Sequence, residues 1–427
     1  MGESLELRRR LLEETAGIQA VDVHSHVPPA EPFARSLREL LGYHYYTELA
    51  HSAGLDAAAV APDAPDEEMI PAILEAMAAM DNTVQYGWLM ELARELFDFG
   101  ESRLTPANWE TLAEAVRRCS GRPGRAREIM ERSGIAKVFL TNNFDECLDA
   151  VDTDLFVPSL RADALVLELE RPAVREALER ASGVSLTGAA SLREALGSVA
   201  ERFRRGGARS TAISLPPGFV VRESQGTAYE AALAKTLRGD ALGSAEREAL
   251  RSGVLTEITS LCSDAGWPFQ IMYGVVRGAY RHGVPQGMDL PQAGDTLRGL
   301  LPLLNAFPAV TFCISVLNES QAQELCSYGW LVHNVVLSGH WWYSNVPAYI
   351  EPDLAARLQS VPKTKLIGYY SDMFKLEFGL AKFSMYRRAL ARVLAADFVE
   401  AGLGTEEDAV AIARLLLREN AERIFNL

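Results

Sequence analysis

Ala20-Val21-Asp22-Val23-His24-Ser25-His26 decides how the rest of the chain is read. Its opening run, Val21-Asp22-Val23, reads as a buried strand. Side chains two apart on a strand share a face, so His24 and His26 converge on one point at the strand's C-terminal end. Pro28 and Pro29 follow closely and forbid further pairing, since proline has no N–H to give to a ladder. Two imidazoles aimed at one point make half of a metal site. The plainer alternative is a pair of polar residues hydrogen-bonded at a strand end. A strand-borne His-x-His early in a large α/β chain favours the metal.

After this strand the pattern turns helical for about a hundred residues. Leu37–Ala53, Glu67–Asp98 and Asn108–Ile129 carry apolar positions at three- and four-residue spacing, and breakers fall at 61–65 and 121–124. We read residues 37–133 as a helical insertion within a single domain spanning 1–427, because the block is too apolar to be disordered. From Ile135 onward strands and helices alternate. Ala136–Thr141, Leu155–Leu160, Ser210–Leu215, Pro268–Gly274, Ala309–Val316, Asn334–Gly339 and Lys365–Tyr370 read as strands. Helical stretches such as Pro172–Ala181, Thr227–Ala249, Gln321–Tyr328 and Leu354–Gln359 lie between them, and Lys382–Phe398 and Glu406–Phe425 close the chain. With the first, these make eight strands, the number a (β/α)8 TIM-like barrel requires. No Gly-x-Gly-x-x-Gly follows the first strand, so an open doubly wound sheet is the weaker reading.

Bulk properties narrow the function. The 427 residues are 48% hydrophobic and 23% charged, ordinary for a globular protein with a large core. A net charge of −15 argues against nucleic acid and anionic membrane surfaces as partners, but not against a small anionic substrate met by a few local cations. The cysteines Cys119, Cys147, Cys262, Cys313 and Cys326 are scattered, as expected of reduced thiols in a cytoplasmic protein. The segment from Met1 to Thr15 is charged and helical, unlike a secretory signal, and no segment approaches the ~20 apolar residues of a membrane span. Assembly as a homo-oligomer is compatible with all of this.

Barrel enzymes place their chemistry at the C-terminal ends of strands. There the sequence offers His24 and His26, Arg161 and Asp163, Met272-Tyr273-Gly274, His340-Trp341-Trp342-Tyr343, and Ser371-Asp372. Once the barrel closes, Asp372 lies beside the first strand and can complete a His-His-Asp site, although an aspartate there would also cap the next helix. Arg161 is a natural carboxylate clamp or an ion-pair partner for Asp163. His44 and Tyr45 could serve as proton donors or as aromatic packing. Trp341 and Trp342 suit stacking on a sugar or simple core packing. His340 could be a further ligand, an acid/base group or a structural histidine. Lys375 is a contact for a substrate anion or a solvated helix residue.

These segments, in this order, resemble uronate (glucuronate) isomerase, a divergent branch of the metal-dependent amidohydrolase superfamily. The likeness runs through the first-strand His-x-His, His44-Tyr45, Pro158-Ser159-Leu160-Arg161-Ala162-Asp163 and Trp267-Pro268-Phe269-Gln270. It continues through Gly274 to Arg277, Gly339-His340-Trp341-Trp342-Tyr343, Ser371-Asp372, Tyr386-Arg387-Arg388 and Asn420 to Phe425. It implies a barrel with one divalent metal, often zinc, held by His24, His26 and Asp372. The implied reaction is aldose–ketose isomerisation of a hexuronate, with Arg161 on the acid, His44 and Tyr45 at the sugar oxygens, and Asp372 or metal-bound water as base. The chain departs from that pattern at three places: Met272 replaces a histidine, Ser210–Leu215 lacks an Asp-His pair, and Phe374-Lys375 replaces an arginine. His340 stands where the family has a small residue. A mononuclear metal-dependent hydrolase or decarboxylase, and a decayed non-catalytic barrel, are the alternatives.

Overall fold

The structure, a computed structural model, describes residues 2–222 and 226–427. Met1, the start of the expected N-terminal helix, lies outside them; Gly2–Ala16 is helical. The first strand, Ala20–Asp22, pairs in parallel with Ile135–Phe139, which pairs in parallel with Phe156–Val157. A second parallel sheet runs from Asn142–Asn143 through Ser159–Arg161, Ser210–Leu215, Phe269–Tyr273 and Phe312–Val316 to Val335–Leu337. The two sheets form one wall. Only Leu140 and Thr141 separate the two halves of the second barrel strand, and only Pro158 those of the third. Pro158 has no N–H to continue the ladder, and the Leu140 N–H donates to the Val157 carbonyl at 2.9 Å across the gap.

Seven of the eight expected strands therefore stand side by side in chain order. Helices connect most of them, which is the arrangement of a (β/α)8 barrel. The eighth expected strand, Lys365–Tyr370, forms no ladder. Lys363–Lys365 is a short 3₁₀ turn, and one parallel bridge, Leu337 with Leu366, holds the segment to its predecessor. Toward the first strand, side chains and single backbone contacts replace a ladder. Ser371 N–H donates to the Asp22 carboxylate at 2.9 Å, Asp372 N–H to the His24 carbonyl at 3.1 Å, and His26 N–H to the Met373 carbonyl at 2.8 Å.

Between the first two barrel strands lie the helices Leu37–Leu41, His44–Ser52, Asp66–Met77, Val84–Phe97, Trp109–Ser120 and Arg125–Ser133. Val84–Phe97 packs against the late helix Glu377–Val393 and so seats this block on the barrel. That late helix is buried on nearly every face because it stands between the two layers. It begins five residues before the expected Lys382, which places Lys382 inside it. The expected helix Thr227–Ala249 is two helices, Gly226–Arg238 and Ser244–Ala265, parted at Gly239, whose φ of 81° suits glycine. The two closing helices each contain a wide π turn, at Leu394–Val399 and Leu415–Glu419.

The seam gives a stability prediction. Asp22→Ala leaves the buried Ser371 N–H without its acceptor and should cost about 1–3 kcal/mol in urea unfolding. Asp22→Asn keeps an acceptor oxygen and should cost clearly less. Equal losses for both would show that the carboxylate charge, not the hydrogen bond, holds the seam.

Candidate metal centre

His24, His26 and Asp372 each offer one ligand atom within 4.8 Å of the others, at the mouth end of the closing seam. His24 Nε2 lies 3.7 Å and His26 Nε2 3.4 Å from Asp372 Oδ1. These separations exceed an ordinary hydrogen bond. They match the edge of a tetrahedral site, since ligand atoms ~2.1 Å from a common ion stand about 3.4 Å apart. His24 is wholly buried, and neither of its ring nitrogens has a hydrogen-bond partner. An unpaired polar group in the interior is costly and points to a missing partner. A divalent metal fits the donors present.

The electrostatics keep the donors ready for a cation. Burial, reinforced by His26 and by the nearby positive charge of Arg161, lowers the His24 pKa to about 3, so its imidazole is neutral. For Asp372, burial pushes the carboxyl upward, but His26, His24 and Lys382 outweigh it and bring it down to about 2. The backbone at Asp372 is left-handed, with φ of 52°, a conformation that aspartate tolerates better than most residues. Tyr43 Oη donates to the Asp372 carbonyl at 3.0 Å, and Lys382 Nζ donates to Tyr43 Oη at 2.8 Å and to the Ser371 carbonyl at 2.7 Å. Lys382 also lies about 5 Å from the ring centres of Tyr43, Tyr45 and Trp88. Burial draws its pKa down to about 7 against the pull of Asp372 and Asp22.

The other expected residues divide. Phe374 stacks on His26 with ring centres 5.0 Å apart and meets His44 edge-on at 5.7 Å, so His44 belongs to the same neighbourhood. His44 Nδ1 is held by Glu48 Oε1 at 2.8 Å, and the buried Tyr45 hydroxyl beside it has no partner. Arg161 Nε lies 3.3 Å from Asp163.

His340 does not join the ligand cluster. Its Nε2 meets Asp353 at 2.7 Å, and Asp353 pairs one helical turn on with Arg357 at 2.8 Å, which commits that ring nitrogen; Nδ1 is buried and unpartnered. Lys375 is likewise committed, to Glu39 at 2.8 Å and the Glu31 carbonyl at 3.1 Å. Trp341 and Trp342 are buried with unpartnered indole N–H groups, and Trp342 stacks on Tyr343 with ring centres 4.3 Å apart. Met272 stands in register between Ser214 and Ser315. Ser315 Oγ bonds the Tyr370 hydroxyl at 2.7 Å, and the Tyr370 ring lies 5.3 Å from that of His24. Arg277, which donates to Ser214 Oγ at 3.1 Å and pairs with Asp289, adds a guanidinium at the mouth.

The sequence pattern assigns no role to Asp22 or Lys382 and makes Lys382 the first residue of its helix. The usable signal was its place amid Phe378-Gly379-Leu380-Ala381 and Phe383, an apolar run in which a cation must find buried partners.

Metal content should fall from about one equivalent to none in His24→Ala and stay near one in His340→Ala, read by elemental analysis. Loss in both would place His340 in the ligand set after all. His24 also makes a pH prediction. Its folded pKa, about 3, lies below the ordinary 6.5, so the unfolded state binds more protons between those values. The stability it contributes is full above about pH 6.5 and drains away as pH falls toward 3. In chelator-treated protein, His24→Gln should flatten the pH dependence of urea unfolding in that window by up to ~1.4 kcal/mol per pH unit; an unchanged slope would show that His24 is not buried neutral.

Comparison with known proteins supplies the family. The glucuronate isomerase family matches residues 4–425. The uronate isomerase of Sphingopyxis alaskensis is 26% identical over 379 residues, covering 80% of this chain and 79% of the relative. The crystal structure of the uronate isomerase from Thermotoga maritima superposes with a TM-score of 0.90 at 18% identity, over 98% of this chain and 97% of that one. The glucuronate isomerase structure from Caulobacter crescentus also gives 0.90, at 20% identity over 99% and 94%. The likeness to the two structures establishes the barrel, and the match across nearly all of the chain establishes kinship: this protein belongs to the glucuronate isomerase family, and with it to the isomerases.

Proposed function

We propose that the protein is a metal-dependent isomerase interconverting the aldose and ketose forms of a hexuronate. The observation that carries this reading is the buried His24–His26–Asp372 cluster in a chain matched to the family over residues 4–425. Three protein ligands of imidazole and carboxylate type, at tetrahedral spacing, suit zinc. When bound, the metal would polarise a substrate oxygen and ease removal of the neighbouring C–H proton. Family membership favours isomerisation over the hydrolytic and decarboxylating alternatives, and an intact ligand cluster weighs against a decayed barrel.

The chain's own groups divide the remaining work. Arg161, one-third exposed and only loosely held by Asp163, takes the substrate carboxylate through its planar fork. Asp372 Oδ1 faces the two imidazoles, which leaves Oδ2 to accept the C2 proton and return it at C1. Burial raises the Tyr45 hydroxyl well above its usual range, so it stays protonated and donates to a sugar oxygen. Glu48 fixes His44 at Nδ1 and leaves Nε2 to exchange a hydroxyl proton. Trp341 and Trp342 wall the sugar, while His340 and Lys375 support the loops that frame it. Among the described residues no helix is long and apolar enough to cross a membrane. All five cysteines are free, and we place the activity in the cytoplasm.

Incubation with glucuronate and galacturonate in D2O, followed by NMR, should show ketose formation with solvent deuterium entering at the carbon that exchanges its proton. Arg161→Met should lower kcat/KM roughly 10–100-fold, mostly through KM, as expected for loss of a charged hydrogen-bonded pair. Release of CO2 or of a free acid without ketose would overturn the assignment.

A further inference from the structure

One stretch of the barrel's outer wall lacks its helix. The chain crosses from the second barrel strand to the third through residues 144–155 with no helical segment. In the place a covering helix would occupy lies a cavity of about 900 Å³, bounded by this crossing, the helix Ala189–Arg205 and the turn before Ser210. Two glycines let that turn close in: a Cβ on Gly206 would meet Leu148 at 2.8 Å, and Gly207 has φ of 87°. The volume falls in the range of small-molecule sites, roughly 300–1,000 Å³.

The charge in this cavity runs against that of the chain. Lys137, Arg202, Arg205 and Arg209 line it against two side-chain carboxylates, Asp145 and Asp149, with Leu427 also in the wall, in a protein of net charge −15. Lys137 Nζ donates to the carbonyls of Thr153 and Asp154, each at 2.8 Å, and Arg202 to the carbonyls of Glu146 and Phe144. Carbonyl oxygens fix a cation's position without cancelling its charge. Arg202 Nε is buried with no hydrogen-bond partner. Among the described residues Arg209 makes no ion pair, and Arg205 reaches only Glu201, at 3.8 Å. Four cations, two of them preset by backbone, exceed what one carboxylate can use and match the oxygens of a phosphate group.

We propose that this cavity binds a small phosphorylated metabolite, its phosphate held by the arginines and Lys137 and its body filling the remaining volume. The site shares no residue with the His24–His26–Asp372 centre and does not depend on the reaction assigned there.

Cys147 lies in the cavity wall and is exposed, whereas the other four cysteines are buried, so its rate of maleimide labelling reports occupancy. The probes are glucose 6-phosphate and inorganic phosphate, with chloride matching the ionic strength, and labelling is followed by intact mass. Glucose 6-phosphate should slow labelling about fivefold once it exceeds its Kd several times over. The protection should persist in His24→Ala and vanish in the Arg205→Ser/Arg209→Ser double variant, whose labelling without ligand and thermal midpoint stay those of the parent. Protection by inorganic phosphate alone would overturn the metabolite in favour of the free ion. No protection by either probe, or equal protection in the double variant, would overturn the site.

Discussion

The closure of the barrel between its last and first segments is the constraint on which the rest depends. A curled sheet must pair its final strand on both sides, or leave an edge of unsatisfied backbone groups. Here the final segment reaches its predecessor through a single bridge and the first strand through the Asp22 carboxylate and a few backbone contacts. An irregular seam frees side chains that a regular ladder would splay to alternate faces. The left-handed turn at Asp372 is possible because no ladder holds that residue, and it sets the carboxylate against two histidines from the opposite edge.

The same seam concentrates charge in the interior. Asp22, Asp372 and Lys382 are all buried within a few side chains of one another. Burial raises the Asp22 pKa to about 7 and lowers that of Lys382 to about 7; the attraction between the two charges offsets only part of their desolvation. Lys382 is braced by two oxygen acceptors and three aromatic faces, which position it without a formal counter-ion in contact. A divalent cation beside Asp372 would be added to a ligand set already held deprotonated, so its binding need not displace protons from His24 or Asp372.

Much of this was legible in the sequence, and the reason is periodicity. Residues 20–26 carry both the strand pattern and the histidine spacing, so strand and half-site could be read together. The central strands are short apolar runs bounded by breakers, and Ser210–Leu215 was recovered residue for residue. The eighth strand was not: Lys365–Tyr370 has the composition of a strand, but it pairs only at Leu366 with Leu337, and its link to the first strand comes just past its end, where Ser371 meets Asp22. Lys382 was obscured because its helix begins earlier than the polar residue suggested. The engagement of His340 with Asp353 and of Lys375 with Glu39 depends on tertiary neighbours that no local pattern announces. Strand spacing, barrel closure and the family resemblance all pointed to the same three residues, whereas only the folded chain placed their atoms together.

The path by which Lys382 joins Tyr43 to Ser371 bears on how the molecule is made. Tyr43 lies in the early helical block, between its first two helices, Ser371 ends the barrel, and a lysine on a late helix bridges the two. During synthesis the early helices and the His-x-His strand emerge with nothing to complete them. They must wait for nearly the whole barrel to follow before the centre can form, and the long loop this closes makes that step entropically late. Ribosomes that stall before residue 372 would release chains with helices and most of the barrel but an incomplete centre, so the ability to retain metal would mark a chain carried past its last barrel segment.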